Sequence, residues 1–380
     1  MGALEFICDL RFHRSFVLPA RPEANRPNPY HVSYSDFGDA HSKSVVVFCG
    51  GLFGQRLSYT PLDQLAKAHH VRIIHPDRPG VGGSDAVEPE KRVQTWLEMV
   101  PELLAHLNID HVSIACHSGG DIYLMNFILA YPHLLNPEHP YVAFFAPWVH
   151  YSHSKMTHLQ ATELLPASWI GKFGSIGKFV NQNIVPVVGL SGAFVKGISA
   201  PLSHSGSTTT APDAGAGELA DGPRDVVQDI ALDDPKAVDE LREHITKFVF
   251  AENVDGVSAD TRLLLKRSVP WCTPIVEWRD LDDAVQLLSR TISEDDRLVS
   301  SRKIWSIDCF HGEHDQLVGD KGRDWFDAIW TPSQSYEYRP VVIEGTEHDF
   351  LMDPVFGASE QWLRRVSESW QTPQADVAAP

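Results

Sequence analysis

The segment VSIACHSGGDIYLMNFILAYP, residues 112 to 132, constrains the chain more than any other stretch. An apolar, β-rich run reaches Cys116, turns through His117-Ser118-Gly119-Gly120 and enters an apolar helix with no intervening loop. So abrupt a passage from strand to helix brings the two backbones almost into contact, and the turn needs small residues, which Gly119 and Gly120 supply. The same geometry lifts the Ser118 hydroxyl above the end of the strand at a helix N-terminus.

Around this turn, short β-rich runs alternate with segments of helical period, the pattern of a mostly parallel sheet covered by helices on both faces. Strands are expected near residues 30–35, 44–49, 71–76, 111–116 and 141–145, and helices near 62–68, 93–107 and 120–131. Pro101 lies inside the second helix, where it lacks an amide proton and crowds the preceding turn, so a kink or break is expected. The alternation stops near Trp148 and resumes at KIWSIDCFHG and SYEYRPVVIEG, followed by a last helix with Trp362, Leu363, Val366 and Trp370 on one face. The division expected is therefore a core at 1–147 and 301–370, an insertion at 148–300, and a frayed tail at 371–380. Within the insertion, 203–223 is rich in Gly, Ser, Thr, Ala and Pro and reads as a mobile loop, and a charged helix is expected near 234–252.

A formal net charge of -18 without a Lys/Arg cluster argues against nucleic acid as a partner. Five scattered cysteines, three in apolar runs, fit a reduced, cytoplasmic protein better than a disulfide framework. The N-terminal segment MGALEFICDLRFHRSF carries Asp9, Arg11 and Arg14 where a secretory signal needs an unbroken apolar region, and it reads as a first strand. No apolar stretch approaches the length of a membrane span. His150 and His153 have a metal-ligand spacing but no accompanying carboxylate motif, and no metal or other cofactor is expected.

Taken together, these segments resemble the α/β-hydrolase superfamily, over about residues 28–148 and 303–370. CHSGG is similar to the family's Gly-x-Ser-x-Gly elbow, with Cys116 for the first glycine. FCGGLFGQRLSY, residues 48 to 59, resembles its oxyanion loop, and HPDRPGVGGSD, residues 75 to 85, its Asp-x-x-Gly-x-Gly-x-Ser loop. HGEHDQLV and EGTEHDF stand where the family keeps its triad acid and histidine. The resemblance implies an α/β-hydrolase fold with a mainly helical cap at the insertion, Ser118 as nucleophile, His348 as general base and Asp315 as the acid that orients it. Glu313 and Asp320 are the nearest substitutes for Asp315.

A serine hydroxyl needs a base to take its proton, and the base needs a partner that fixes its tautomer. The tetrahedral oxyanion needs two fixed amides, expected from Gly119 and from Leu52, or from Gly51 if the loop is offset by one residue. A serine nucleophile disfavours epoxide hydrolase and haloalkane dehalogenase chemistry, which in this family use aspartate. The expected activity is hydrolysis of a carboxylic ester, lactone or thioester. The alternatives are a biosynthetic step using the same triad (acyl transfer, carbon-carbon cleavage or cyclisation), a peptidase, and a non-catalytic binding protein. The substrate is expected to be a small, largely apolar molecule, with Phe53, Trp148, Tyr151 and Trp169 as candidate pocket residues.

Overall fold

The computed structural model describes residues 1–24, 26–157, 229–267, 269–294 and 304–371. The expected loop at 203–223, Trp169 and nearly all of the tail lie outside these residues. The described strands are β1 (Arg14–Leu18), β2 (Tyr30–Gly38), β3 (Ser44–Cys49), β4 (Val71–Pro76), β5 (Ser113–His117), β6 (Tyr141–Phe145), β7 (Trp305–Gly312) and β8 (Tyr336–Ile343). They form one sheet in the order β1-β2-β4-β3-β5-β6-β7-β8. β1 and β2 pair antiparallel with their neighbours, and the pairs from β4 to β8 are all parallel.

Burial follows from sequence in each case. β3, β5 and β6, the continuous apolar runs, are buried at every residue in the middle of the sheet, whereas edge strands β1 and β8 carry exposed polar positions. Helices α1 (Ala3–Ile7), α2 (Asp63–Ala68), α3 (Arg92–His106), α4 (Asp121–Ala130), α5 (Tyr151–Ser154), α6 (Pro235–Ala251), α7 (Asp255–Leu264), α8 (Leu281–Glu294), α9 (Gly319–Ile329) and α10 (Ala358–Trp370) surround it. Residues of α3, α4, α8 and α9 build the apolar core on one face, and residues of α1, α2, α6 and α10 build the core on the other.

One local expectation is corrected and another is narrowed, since no break occurs at Pro101. The N-terminal segment is not a strand from its start: α1 and a single 3-10 turn, Leu10–Phe12, precede β1. Ala3, Phe6 and Ile7 bury one helical face in the core that also holds Leu241 and Ile245 of α6, and the Asp9 carboxylate accepts the Arg11 amide at 2.9 Å to start the turn. Helix α3 runs through Pro101 as one element; Trp96, Leu97, Met99, Val100, Leu103 and Leu104 are buried around the proline and hold the helix across the missing hydrogen bond.

Helices α6 and α7 are tied to the loops after β3 and β4 by ion pairs, that of α7 fully buried. Asp260 of α7 accepts from Arg78 Nε at 2.8 Å, Arg92 Nη2 at 2.7 Å and Tyr123 Oη at 2.5 Å, joining the loop after β4, α3 and α4. Burial alone would raise the Asp260 carboxyl, but Arg92 and Arg78 outweigh it and hold the group below its usual range. At the end of α6, Glu252 accepts from Arg56 Nη1 at 2.6 Å, and the same guanidinium nitrogen donates to Asp77 at 2.7 Å.

Replacing Asp260 by Asn would leave two buried guanidinium groups without their counter-charge. Urea unfolding of the Asp260→Asn variant is expected to show a loss of about 3–5 kcal/mol; a loss below about 1 kcal/mol would show that the cluster does not hold the insertion to the core.

Candidate active site

Ser118 sits at φ +50°, between the end of β5 and a 3-10 turn, Ser118–Gly120, that leads into α4. A left-handed backbone at a residue other than glycine is strained, and here the strain presents the hydroxyl. The close approach expected of the turn is present. A Cβ on Gly120 would stand 2.2 Å from the Cys49 carbonyl oxygen, so only glycine fits between β3 and the helix.

His348 follows β8, and Asp315 follows β7. Their loops are stitched together by His314 N donating to Thr346 O at 2.9 Å, Glu313 N to Ile343 O at 3.1 Å, and Gly345 N to the Glu313 carboxylate at 2.8 Å. The structure brings Ser118, His348 and Asp315 into one line: His348 Nε2 lies 2.8 Å from Ser118 Oγ and His348 Nδ1 lies 2.7 Å from Asp315 Oδ2. Asp315 can only accept when ionised, so Nδ1 carries the proton and Nε2 is free to accept from the serine hydroxyl. The other Asp315 oxygen accepts the Leu317 and Val318 amides, each at 2.8 Å. Glu313 is turned to Gly345 and Asp320 to Arg323, so the two substitutes are engaged elsewhere.

Burial opposes charge on both partners, yet their mutual attraction prevails. Asp315 is held down to about 2 by His348 and by the Val318 and Leu317 amides, and His348 is raised above its ordinary value of 6.5 by Asp315.

The loop after β3 lies against the elbow, with the Gly51 Cβ direction 3.2 Å from Ser118 Cβ. Gly51 donates its N–H to Tyr59 Oη at 3.1 Å, so that amide is already used. Arg78 holds the loop from behind: Nη1 donates to the Gly50 carbonyl at 2.5 Å, and Nη2 to the Gly51 and Leu52 carbonyls at 2.6 and 3.1 Å. With its carbonyls turned to Arg78, the loop presents its opposite, amide side away from the guanidinium. Gly119 faces Leu264 of α7, whose methyl carbon would meet a Cβ there at 2.7 Å.

Of the candidate pocket residues, Phe53 packs its ring 5.8 Å from that of Phe250, Trp148 is buried and donates its indole N–H to the Leu264 carbonyl at 3.2 Å, and Tyr151 lies partly buried beside His150. Sequence reasoning missed Tyr59, Leu264 and Asp260, and it gave His117 no part in the site. The His117 Nε2–H donates to the His348 carbonyl at 3.0 Å and its Nδ1 accepts from Tyr59 Oη at 2.9 Å. Burial, and then the neighbouring His348, push His117 down to about 3.

No protein-family model matches the chain, and no curated protein sequence matches it. Solved structures do match. They include a thermophilic esterase from Thermogutta terrifontis (14% identity over 93% of this chain and 99% of that one, TM-score 0.54), a bromoperoxidase from Bacillus anthracis (13%, 93% and 100%, 0.53) and an epoxide hydrolase from Vigna radiata (14%, 95% and 98%, 0.51). The chain has the α/β-hydrolase fold.

The two neighbouring histidines should titrate apart. Imidazole NMR across pH 4 to 9 is expected to show His348 protonating above its ordinary value of 6.5 while His117 stays neutral to the acid end. Because the folded protein binds the His348 proton more tightly than the unfolded chain, that contribution to stability is full below pH 6.5 and fades as pH rises through the folded pKa. The Asp315 contribution is full above 3.8 and fades as pH falls toward 2. A His348 that titrates below 6.5 would contradict the ion pair.

Proposed function

We propose that this chain is a serine hydrolase acting on an ester-type carbonyl, a carboxylic ester, lactone or thioester. The observation that carries the proposal is the line Asp315–His348–Ser118, with hydrogen-bond distances of 2.7 and 2.8 Å, on a strained elbow at a helix entrance. His348 would take the Ser118 proton as Oγ attacks the carbonyl carbon, then give it to the leaving group; Asp315 stabilises the imidazolium in between. Water, activated by His348, would then release the acyl group and restore the serine.

The oxyanion donors we assign are the Leu52 and Gly119 amides. The engagement of Gly51 with Tyr59 favours Leu52 over its neighbour. Each donor aimed at the developing charge is worth about 3–4 kcal/mol of transition-state stabilisation. Arg78 touches no substrate in this scheme; it positions Leu52 by holding the carbonyls on either side of that amide.

We assign the insertion the role of a cap that sets specificity. Leu264 against Gly119, and Phe53 against Phe250, support a small, largely apolar acyl or alkyl group beside the nucleophile. Among the described residues no helix is long and apolar enough to cross a membrane, and all five cysteines are unpaired, which supports a reducing, cytoplasmic setting.

The test is labelling with a fluorophosphonate probe together with turnover of p-nitrophenyl esters of increasing acyl length. Wild-type protein is expected to be labelled and to hydrolyse short apolar esters, and Ser118→Ala to abolish labelling and to lower kcat by about 10,000- to a millionfold. Folded wild-type protein that neither takes the probe nor turns over any ester would sink the assignment.

A further inference from the structure

We propose that Cys309, His311 and Asp327 form a binding site for one divalent transition-metal ion of the zinc class, on the sheet face beneath α9 and apart from the triad. Side chains alternate along a strand, so Cys309 and His311, two residues apart on β7, project from the same face. Helix α9 brings Asp327 over them.

Cys309 Sγ lies 3.2 Å from His311 Nε2, and His311 Nε2 lies 2.8 Å from Asp327 Oδ1. All three ligand atoms fall within 4.8 Å of one another, the one such grouping of three among the described residues. Tyr338 of β8 donates its hydroxyl to the same Asp327 oxygen at 2.5 Å, as an outer partner that would orient a ligating carboxylate.

Hydrogen bonds alone match this convergence poorly. A neutral imidazole nitrogen carries either a proton or a lone pair. If Nε2 donates to Asp327, it cannot accept from the Cys309 thiol; if it accepts from the thiol, it faces the Asp327 carboxylate lone pair to lone pair. A cation between the three would take one lone pair from each.

The donor set selects the metal class. A thiolate with an imidazole and a carboxylate suits zinc or its tetrahedral analogues, whereas magnesium and calcium prefer all-oxygen shells. Cys309 and His311 are buried and the Asp327 side chain is 28% exposed, so solvent reaches the group from the Asp327 side. Water would complete a tetrahedral shell there. On binding, Cys309 releases its thiol proton to solvent, His311 ligates through Nε2 and keeps its proton on Nδ1, and Asp327 binds ionised. The ion would tie β7 to α9 four residues before Asp315, and so stiffen the strand end that carries the triad acid.

The probe is cobalt(II), titrated into the full chain prepared without an affinity tag, followed by displacement with zinc. The expected result is saturation at one equivalent with a thiolate-to-cobalt charge-transfer absorption and tetrahedral visible bands. Cys309→Ser is expected to remove the thiolate absorption. Asp327→Asn, at the exposed side of the site, is expected to keep that absorption but weaken cobalt binding at least about tenfold. Folded wild-type protein without thiolate-to-cobalt absorption would overturn the proposal. So would absorption that persists in Cys309→Ser, because exposed Cys8 or half-buried Cys272 would then be its source. Should Cys309→Ser fail to fold, unchanged cobalt affinity in Asp327→Asn overturns it equally.

Discussion

A single carboxylate, Asp260, holds the parts of this protein in register. It faces two guanidinium groups and a tyrosine hydroxyl in a region closed to solvent, and each partner belongs to a different part of the chain. Taking such charges out of water costs several kcal/mol per ion, which only excellent geometry repays. One carboxylate cannot neutralise two guanidinium groups by itself. The balance for Arg78 comes from the carbonyls of Gly50, Gly51 and Leu52, whose dipoles point at its outer nitrogens. The cation that fixes the insertion therefore also fixes the loop beside Ser118.

That arrangement gives the loop a direction. A peptide unit whose carbonyl is held on one side offers its amide on the other, so a buried cation behind the loop arranges donors in front of it without touching a reacting group. Donors fixed before the reaction need no reorganisation when charge develops, and this is the basis of electrostatic stabilisation in acyl transfer. The insertion takes part twice, through Asp260 at Arg78 and through Glu252 at Arg56. Helix α7 and the end of α6 thus supply the counter-charges of the loops after β3 and β4.

What the sequence disclosed follows from how local each signal is. The strand-turn-helix at Ser118 was legible because its requirement, small residues at a near-contact of backbones, is met within five residues. Continuous apolar runs marked β3, β5 and β6 because interior strands of a parallel sheet are buried on both faces. Asp260 was invisible for the opposite reason. An aspartate in a charged, amphipathic helix is ordinarily solvated, and only its distant partners, Arg78 and Arg92, make it a buried ion. The start of the chain misled because Phe6 and Ile7 suit a strand as well as one turn of helix, and contact with α6 decides between them.

The adjacent histidines carry the same logic down to single protons. The His348 carbonyl can only accept, so His117 must carry its proton on Nε2; Nδ1, left neutral, must accept from Tyr59; and the Tyr59 oxygen is thereby free to take the Gly51 amide. Protonating His117 would put a second N–H against the Tyr59 hydroxyl and a positive charge beside His348, whose own charge the proposed reaction needs only transiently. Burial keeps His117 neutral, and the neutral ring links the backbone of the proposed base to the loop proposed to hold the oxyanion. Two imidazoles 5.3 Å apart are thus held in opposite states, one raised by the Asp315 carboxylate it faces and one kept neutral by burial.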